Sequence, residues 1–222
     1  MNTKTNQIQF ISIEGNIGAG KTTLFQQMQD YISEYELNND KHIVFLREPV
    51  DMWEKTRDEE TGKNILELFY ENPPKYAFEF QMMVLASQTE LIQKTVMENP
   101  QCRVIVSERS INAGHYVFTK MLCADGHISH IQYKIYVSML NVAYPTQIKN
   151  HKIIYLDVNT KTCKERIQKR GREGENGITL DYLDNCKDFY DGWILGEELD
   201  DNNLMHIDEN NEIGILVRFV LS

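Results

Sequence analysis

The stretch ISIEGNIGAGKTT, residues 11–23, decides the fold of this chain. Four residues separate Gly15 from Gly20, and Lys21-Thr22 follow at once, which is the G-x-x-x-x-G-K-[ST] spacing of a phosphate-binding loop. An apolar run precedes the loop and a helical pattern follows it, so a buried strand must turn sharply into a helix here. The loop amides and the helix N-terminus then present positive potential to a polyphosphate. A glycine-rich turn without a ligand is the alternative, and this spacing disfavours it.

The side chains of the loop indicate how a nucleoside triphosphate and its metal would be held. Lys21 supplies a full positive charge to the β and γ oxygens, and the Thr22 hydroxyl can ligate Mg²⁺. The residues predicted to surround ATP in this loop are Gly15, Asn16, Gly18, Ala19, Gly20, Lys21, Thr22 and Thr23.

The composition limits what else the chain can bind. Its 222 residues are 41% hydrophobic and 25% charged, which suits one domain spanning 1–222, and the formal net charge is −10. An acidic chain without a strong basic patch does not favour a nucleic-acid polymer. No run reaches about 18 apolar residues, so no membrane span is expected, and the N-terminus resembles neither a signal nor a transit peptide. The cysteines match no zinc spacing and are expected as reduced thiols, so we expect a cytoplasmic protein.

Short apolar runs alternate with longer helical patterns along the chain. The runs lack polar alternation, as expected for strands buried on both faces, and their order predicts an α/β fold of the P-loop kinase type, a five-stranded parallel sheet flanked by helices. The predicted strands are 8–13, 42–47, 102–108, 152–158 and 203–208. The predicted helices begin at Lys21 and cover 75–98, 110–123, 127–145, 160–170, 179–196 and 211–222. The polar stretches 54–64 and 170–177 are predicted as mobile loops.

Glu48 ends the second predicted strand, within LREPVDMW (46–53). Open α/β sheets bind ligands at the carboxyl ends of their strands, so Glu48 is expected beside the phosphate loop. A carboxylate there can accept the proton of an attacking hydroxyl, which makes Glu48 the candidate catalytic base. The alternative is a carboxylate that pairs with Arg47 or caps a turn.

The third predicted strand ends in SERS, residues 107–110. Glu108 can hold Mg²⁺, directly or through water, and Arg109 can offset the charge of a transferring phosphoryl group. The alternative is a Glu-Arg pair on the surface at the start of a helix.

The segment ERIQKRGREGENG, residues 165–177, concentrates positive charge. Arg166 and Arg170 are four residues apart on one helical face, and Arg172 lies just beyond. Three guanidinium groups entering a glycine-rich loop suit a lid, about 166–177, that closes over the phosphates of ATP and excludes water. A solvated basic helix end is the alternative.

Five motifs, taken in order, resemble those of the deoxyribonucleoside kinases. They are GNIGAGKTT, EPVDMW, FQ (80–81), ERS and RGRE. That family holds deoxycytidine, deoxyguanosine and mitochondrial-type thymidine kinases and the insect multisubstrate enzyme, and the likeness runs from about residue 8 to 195. It implies transfer of the γ-phosphoryl group of ATP, with Mg²⁺, to the 5′-hydroxyl of a deoxyribonucleoside. It also implies a homodimer and feedback inhibition by the end-product triphosphate.

The resemblance further implies the contacts of the nucleoside. Ile17 and Trp53 would pack on it, while Tyr70 and Glu175 would bind the 3′-hydroxyl of the sugar. Gln81 would hydrogen-bond to the base, with Phe80 and Phe118 near the faces of the base.

Gln81 is also a candidate on its own chemistry. It lies in a helix with many apolar neighbours, so its carboxamide is expected to be partly buried and to need partners. A carboxamide has a donor and an acceptor. It therefore suits N3–H and O4 of thymine or, when flipped, N3 and the amino group of cytosine, and it does not choose between them. An amide satisfied by the neighbouring backbone is the alternative.

Two further residues bear on the base. Family members that prefer cytosine or purines resemble one another in carrying an arginine where Gln88 stands and an aspartate where Gly114 stands. Gly114 leaves space for a 5-methyl group, so the sequence resembles the branch that accepts thymidine, with possible activity on deoxycytidine or deoxyuridine. Gln88 is expected to add a polar contact to the substrate.

Two other functions compete with this interpretation. Thymidylate kinase joins a similar loop to an REP strand end, but glycines typically follow its proline, and an Asp-Arg replaces Glu108-Arg109. A nucleotide-sensing module would bind a triphosphate without turnover. The apolar content of 110–123 and 127–145 predicts contact with a second subunit or, as an alternative, ordinary burial in the core.

Overall fold

The computed structural model describes residues 7–37, 42–146, 148–196, 201–208 and 212–222, without the side chains of 149 and 201. Within these residues, five strands pair in parallel in the order β2-β3-β1-β4-β5. The strands are β1 (Ile8–Glu14), β2 (Ile43–Leu46), β3 (Val104–Glu108), β4 (Ile148–Leu156) and β5 (Leu204–Ile207). The predicted five-stranded parallel α/β fold is confirmed.

Helices connect the strands, as parallel pairing requires. The α-helices are α1 (Lys21–Glu34), α2 (Val50–Lys55), α3 (Ile65–Glu71), α4 (Pro73–Glu98), α5 (Ile111–Ala113), α6 (Lys120–Ala124), α7 (His130–Ala143), α8 (Thr160–Arg170), α9 (Leu180–Ile194) and α10 (Ile213–Leu221). A π-helical segment, Gly114–Thr119, joins α5 to α6, and 3₁₀ turns cover Glu175–Gly177 and Asp201–Asn203.

The strand order explains which strands are buried on both faces. β1 and β3 lie inside the sheet and are buried along nearly their whole length. β2 and β5 form the two edges and are only partly buried. Because β1 is central and the chain runs to β2 and β3 on one side and to β4 and β5 on the other, the loop after β1 occupies the switch point where such sheets bind ligands.

Two short helices flank the region predicted as a loop between 54 and 64, and the first of them extends two residues into it. α2 extends to Lys55, and α3 begins just after Asn64. The Asn64 side chain accepts from the Glu67 amide at 2.9 Å, while Glu67 accepts from the Asn64 amide at 2.8 Å. This reciprocal capping box is visible in the sequence as N-x-x-E before an apolar run, and the prediction overlooked it.

The helix predicted over 110–123 is not uniform. Its middle, Gly114–Thr119, is a π-helix, and the Thr119 hydroxyl donates to the Gly114 carbonyl at 2.7 Å. That side-chain bond satisfies a carbonyl within the widened turn. Wide turns of this kind often occur at functional sites, and this one faces the large cavity described below.

Among the described residues, no helix combines the length and the apolar character needed to cross a membrane. All four cysteines are free thiols.

Candidate active site

A cavity of about 740 Å³ opens at the carboxyl ends of the strands. It runs without interruption from the glycine-rich loop to a group of aromatic side chains. The predicted site residues that line it are Ile17, Gly18, Ala19, Gly20, Lys21, Thr22, Thr23, Glu48, Trp53, Tyr70, Phe80, Gln81, Glu108, Arg109, Gly114, Phe118, Arg166, Arg170, Arg172 and Glu175. The predicted residues Gly15, Asn16 and Gln88 lie behind its wall instead.

The glycines of the loop are required by close backbone packing. At Gly18, with φ of 79°, a Cβ atom would lie 2.5 Å from the Cys163 carbonyl of α8. At Gly15, a Cβ would lie 2.6 Å from the carbonyl of Leu156, the last residue of β4. Asn16 is buried and holds the loop from behind, because its amide donates to the Leu183 carbonyl of α9 at 2.8 Å. These contacts fix the path of the loop so that its amides surround one point.

Lys21 begins α1 and is buried at the base of the cavity. Its Nζ donates to the carbonyls of Asn16 at 2.8 Å and Gly15 at 3.0 Å. Burial, with a smaller contribution from the positive charge of Arg109, lowers the pKa of Lys21 to about 8. A polyphosphate placed beside this ammonium would favour its charged form.

Thr22 and Glu108 lie together although they are far apart in sequence. The Thr22 hydroxyl donates to Glu108 Oε1 at 2.5 Å. Hydroxyl and carboxylate oxygens are ligands that Mg²⁺ accepts, and this ion usually takes one or two protein oxygens and completes its shell with phosphates and waters. Over the described ranges, no group of three or more His, Cys, Asp or Glu side chains could hold a metal alone. The pair therefore fits a magnesium ion that arrives with a triphosphate.

Glu48 pairs with Arg109 and not with Arg47. Arg109 Nε donates to Glu48 Oε1 at 2.9 Å, and both side chains are largely buried. Arg47 instead contacts Gln26 and lies over the Phe25 ring. The expected alternatives, an Arg47 partner and an exposed Glu-Arg pair, are therefore not what this structure contains.

Arg109 is held by several groups at once. Its backbone has φ of 68°, an uncommon conformation for a residue other than glycine. Its guanidinium also donates to the hydroxyl of Tyr190 and lies 4.7 Å from the centre of the Phe118 ring. Burial opposes its charge, but the Tyr190 hydroxyl and the Glu48 carboxylate outweigh burial and raise the pKa of Arg109. A strained backbone held by this many contacts is typical of a functional site.

The three arginines predicted to form a lid all face the cavity. Arg166, on α8, donates to the Ala19 carbonyl of the loop at 2.8 Å. Arg170 and Arg172 both pair with Glu175, at 2.7 and 3.1 Å. Because Glu175 is buried and joins two of the arginines, the segment is an ordered part of the site here and not a freely solvated helix end.

The far end of the cavity is aromatic. Trp53 and Phe80 pack edge to face with ring centres 5.5 Å apart, and Phe69 stacks on Phe80 at 5.0 Å. The Trp53 indole donates to Ser87 at 2.9 Å, which fixes its plane. Tyr70 lines the cavity nearby, and burial, followed by the Glu175 carboxylate, raises its pKa, so the phenol keeps its proton.

Gln81 is buried and presents its carboxamide to this aromatic end. Its Oε1 lies 3.4 Å from the Thr119 hydroxyl, whose hydrogen is already donated to Gly114 at 2.7 Å. The Thr119 oxygen can accept as well as donate, so this contact does not select one orientation of the amide. A Cβ atom at Gly114 would come within 3.3 Å of the Tyr136 hydroxyl, so packing against Tyr136, as well as room for a substrate, favours glycine there.

Several lining residues were not predicted as part of the site. They are Leu66 and Phe69 of α3, Val84 of α4, Tyr182 of α9, and Arg47, Val50 and Asp51 near the end of β2. Tyr190 was missed as well, although it bridges Arg109 and the buried carboxylate of Glu14 at 3.4 Å. The N-x-x-E cap of α3 was the available signal for Leu66 and Phe69. No local pattern marks Tyr182 or Tyr190, because both look like ordinary apolar positions of an amphipathic helix.

Comparison with known proteins agrees with this geometry. The sequence model of a family described as "Deoxynucleoside kinase" matches residues 11–215. The chain is 31% identical to "Deoxycytidine kinase 2" of Gallus gallus over 95% of this chain and 82% of that protein. It is 28% identical to "Deoxycytidine kinase" of Homo sapiens, over 88% and 79%. It is 26% identical to "Deoxyguanosine kinase, mitochondrial" of Xenopus laevis, over 86% and 75%.

Proposed function

Since the chain belongs to the deoxynucleoside kinase family, we propose that it transfers the γ-phosphoryl group of ATP to the 5′-hydroxyl of thymidine, and that deoxycytidine and deoxyuridine are also accepted. One observation carries the proposal. Glu48 lines the same cavity as Lys21 and Gln81, between the phosphate loop and the aromatic end, and Arg109 fixes its carboxylate. A nucleoside with its base at Gln81 would direct its sugar toward Glu48.

Each group then has one chemical task. Glu48 accepts the proton of the 5′-hydroxyl as that oxygen attacks the γ-phosphorus. Lys21, Arg109 and Arg166 supply positive charge to the phosphoryl oxygens. Mg²⁺, held by Thr22 and Glu108, would neutralise charge on the triphosphate. Arg170 and Arg172 close the site against water, which would otherwise compete with the hydroxyl.

The sugar is expected to lie between Tyr70 and Glu175. Tyr70 keeps its phenolic hydrogen, so it can donate, and Glu175 can accept. A 3′-hydroxyl both donates and accepts, so it suits this pair. The Glu175 carboxylate keeps its place because Arg170 and Arg172 hold it from the other side.

Thymine is the proposed base because the Gln81 carboxamide offers a donor and an acceptor to its edge. Aromatic and apolar side chains and Gly114 line the same cavity. The relatives named above are deoxycytidine and deoxyguanosine kinases. The sequence departs from the branch that prefers cytosine or purines at Gln88 and Gly114, and that departure supports thymidine.

Turnover of the four natural deoxynucleosides, and of thymidine monophosphate, with ATP and Mg²⁺ tests the proposal. Thymidine should show the highest kcat/KM. Dominant turnover of a purine nucleoside would overturn the base assignment and leave the kinase intact. Turnover of the monophosphate alone would indicate a thymidylate kinase, and binding of ATP with no turnover of any acceptor would indicate a nucleotide sensor.

We also propose that α7 forms a homodimer interface. Its inner face buries Tyr136 and Leu140, while its outer face exposes an apolar stripe formed by Ile131, Ile135, Met139 and Val142. A contiguous apolar stripe of this kind marks an interaction surface. Sedimentation should show a dimer that Ile135→Lys disrupts, whereas Ile215→Lys, on an exposed apolar residue of α10, should leave it unchanged.

A further inference from the structure

A second, much smaller cavity lies behind the Glu48–Arg109 pair. Its volume is about 10 Å³, and α4 contributes Gln88, Leu91 and Ile92 to its wall. The rest of the wall comes from the ends of β2 and β3. Four residues line both this cavity and the large one, namely Arg47, Glu48, Glu108 and Arg109. The proposed catalytic pair, Glu48 and Arg109, therefore lies between the small cavity and the large one.

Gln88 brings an unsatisfied polar atom to the small cavity. Its side chain is 5% exposed, and its Oε1 has no hydrogen-bond partner. A buried carboxamide oxygen without a partner is costly, and in most proteins such an atom is satisfied by protein or by an ordered water. The large cavity is not lined by Gln88, so a nucleobase bound there does not supply the partner.

The small cavity has the size of a site for one water molecule, and polar groups reach it although most of its wall is apolar. A volume of about 10 Å³ is close to the minimum that holds a single water, and a buried water needs two to four polar partners. Gln88 Oε1 is one acceptor, and Glu48 and Ser107 lie in the same wall. A water has two hydrogens, one for the Gln88 oxygen and one for the Glu48 carboxylate, while the Ser107 hydroxyl keeps its own bond to the Arg109 carbonyl at 2.8 Å.

We propose that Gln88 holds one buried water molecule against Glu48 and is thereby a positioning residue for the catalytic base, an inference that rests on the proposed function. A water that donates one hydrogen to Gln88 Oε1 keeps a second hydrogen for the Glu48 carboxylate. Arg109 then holds Glu48 on one side, and the water holds it from behind. Small displacements of a catalytic group lower the rate strongly, so this rear support contributes to kcat.

A high-resolution crystal structure of the full chain tests the water site directly. The expected result is electron density for one water within roughly 2.7–3.2 Å of Gln88 Oε1 and in hydrogen-bond contact with Glu48. A dry cavity would overturn the proposal. This test does not depend on catalysis, so it stands whether or not thymidine is the substrate.

Kinetics of Gln88→Met test the role of the water. Methionine has nearly the same shape but lacks the acceptor oxygen. We expect kcat to fall roughly three- to tenfold, with an unchanged KM for thymidine and an unchanged ratio of kcat/KM between thymidine and deoxycytidine. Gln93→Leu, the loss of an exposed carboxamide on the same helix, is the matched control and should behave as wild type.

Two kinetic results would contradict the inference. A changed thymidine-to-deoxycytidine ratio with unchanged kcat would mean that Gln88 contacts the base, and wild-type behaviour would mean that it supports nothing. If Gln88→Met does not fold, the crystal structure of the wild type decides the question alone. Wild-type protein that phosphorylates no nucleoside would defeat the proposed function, and the observed water or dry cavity would still report on Gln88.

Discussion

The two ends of the large cavity are built in different ways. The phosphate end consists of consecutive residues, 17–23, and of side chains that end neighbouring strands, so its parts are fixed by the sheet. The nucleoside end is assembled from α2, α3, α4 and the π-helical segment, which meet only after the chain has packed. Charge dominates the first end, and aromatic rings with one carboxamide dominate the second. Under the proposed function, local sequence determines how the phosphate is held, whereas tertiary packing determines which acceptor is chosen.

The largest expected effect comes from the residue between the two ends. Glu48→Gln should lower kcat by roughly 10²–10⁴-fold, because the proton of the attacking hydroxyl loses its acceptor. Thymidine binding should largely remain, since the amide keeps the shape and one oxygen for Arg109. Steady-state kinetics together with calorimetric titration of thymidine measure both quantities. Glu79→Gln, an exposed glutamate of α4, is the control, and an equal loss in both variants would contradict the base role.

A substitution with a smaller effect should show that the nucleoside end and the phosphate end bind their ligands independently. Gln81→Leu removes the paired hydrogen bonds to the base, which should lower kcat/KM for thymidine roughly 10–100-fold. The KM for ATP should stay within about twofold, because the loop and its arginines are untouched. Initial rates with each substrate varied in turn provide the measurement. A KM for ATP that rises as much as the KM for thymidine would show that the two ends are not independent.

A ligand that occupies both ends of the cavity should compete with both substrates. Because the cavity is continuous, thymidine triphosphate can place its base at Gln81 and its phosphates in the glycine-rich loop. We expect it to raise the apparent KM for thymidine and for ATP several-fold. Inhibition measured at varied concentrations of each substrate distinguishes this from occupation of one subsite. Competition with ATP alone would place the triphosphate only in the donor site.

The last expected effect concerns the stability of the fold and not catalysis. His151 bonds Ser12 of β1 at 2.8 Å and Asn112 at 3.0 Å, and burial lowers its pKa to about 4. An unfolded histidine titrates near 6.5, so the unfolded state binds an extra proton between about pH 6.5 and 4, and stability falls as the pH falls through that window.

His151→Gln should lower the slope of the free energy of unfolding against pH by up to about 1.4 kcal/mol per pH unit in that window. Urea unfolding at several pH values between 4 and 7 measures it. His130→Gln, at an exposed histidine, should retain the wild-type slope. An unaltered slope in His151→Gln would mean that the buried ring is not the group that titrates.

The same contrast explains what the sequence could predict. The order of the apolar runs along the chain and the spacing of the glycine-rich loop predicted the parallel sheet. They also predicted that Lys21, Glu48 and Arg109 lie at the carboxyl ends of its strands. Two contacts of Arg109 have no signal in the local sequence. Glu48 pairs with Arg109 and not with its neighbour Arg47, and Arg109 bonds Tyr190, because packing brings these residues together. Gln88 shows the limit most clearly, since the sequence predicted a polar contact to the substrate but could not show that Gln88 lines the small cavity and not the large one.

The contact between Gly18 and α8 restricts how far the glycine-rich loop and α8 can move relative to each other. A Cβ at residue 18 would lie only 2.5 Å from the Cys163 carbonyl, and Arg166 donates to the Ala19 carbonyl, so the glycine-rich loop and α8 are in close contact. The next left-handed glycine, Gly171 with φ of 64°, is the first point past Arg170 where the backbone can pivot. Arg166 thus lies on the part of α8 that packs against the loop, whereas Arg172 lies beyond Gly171.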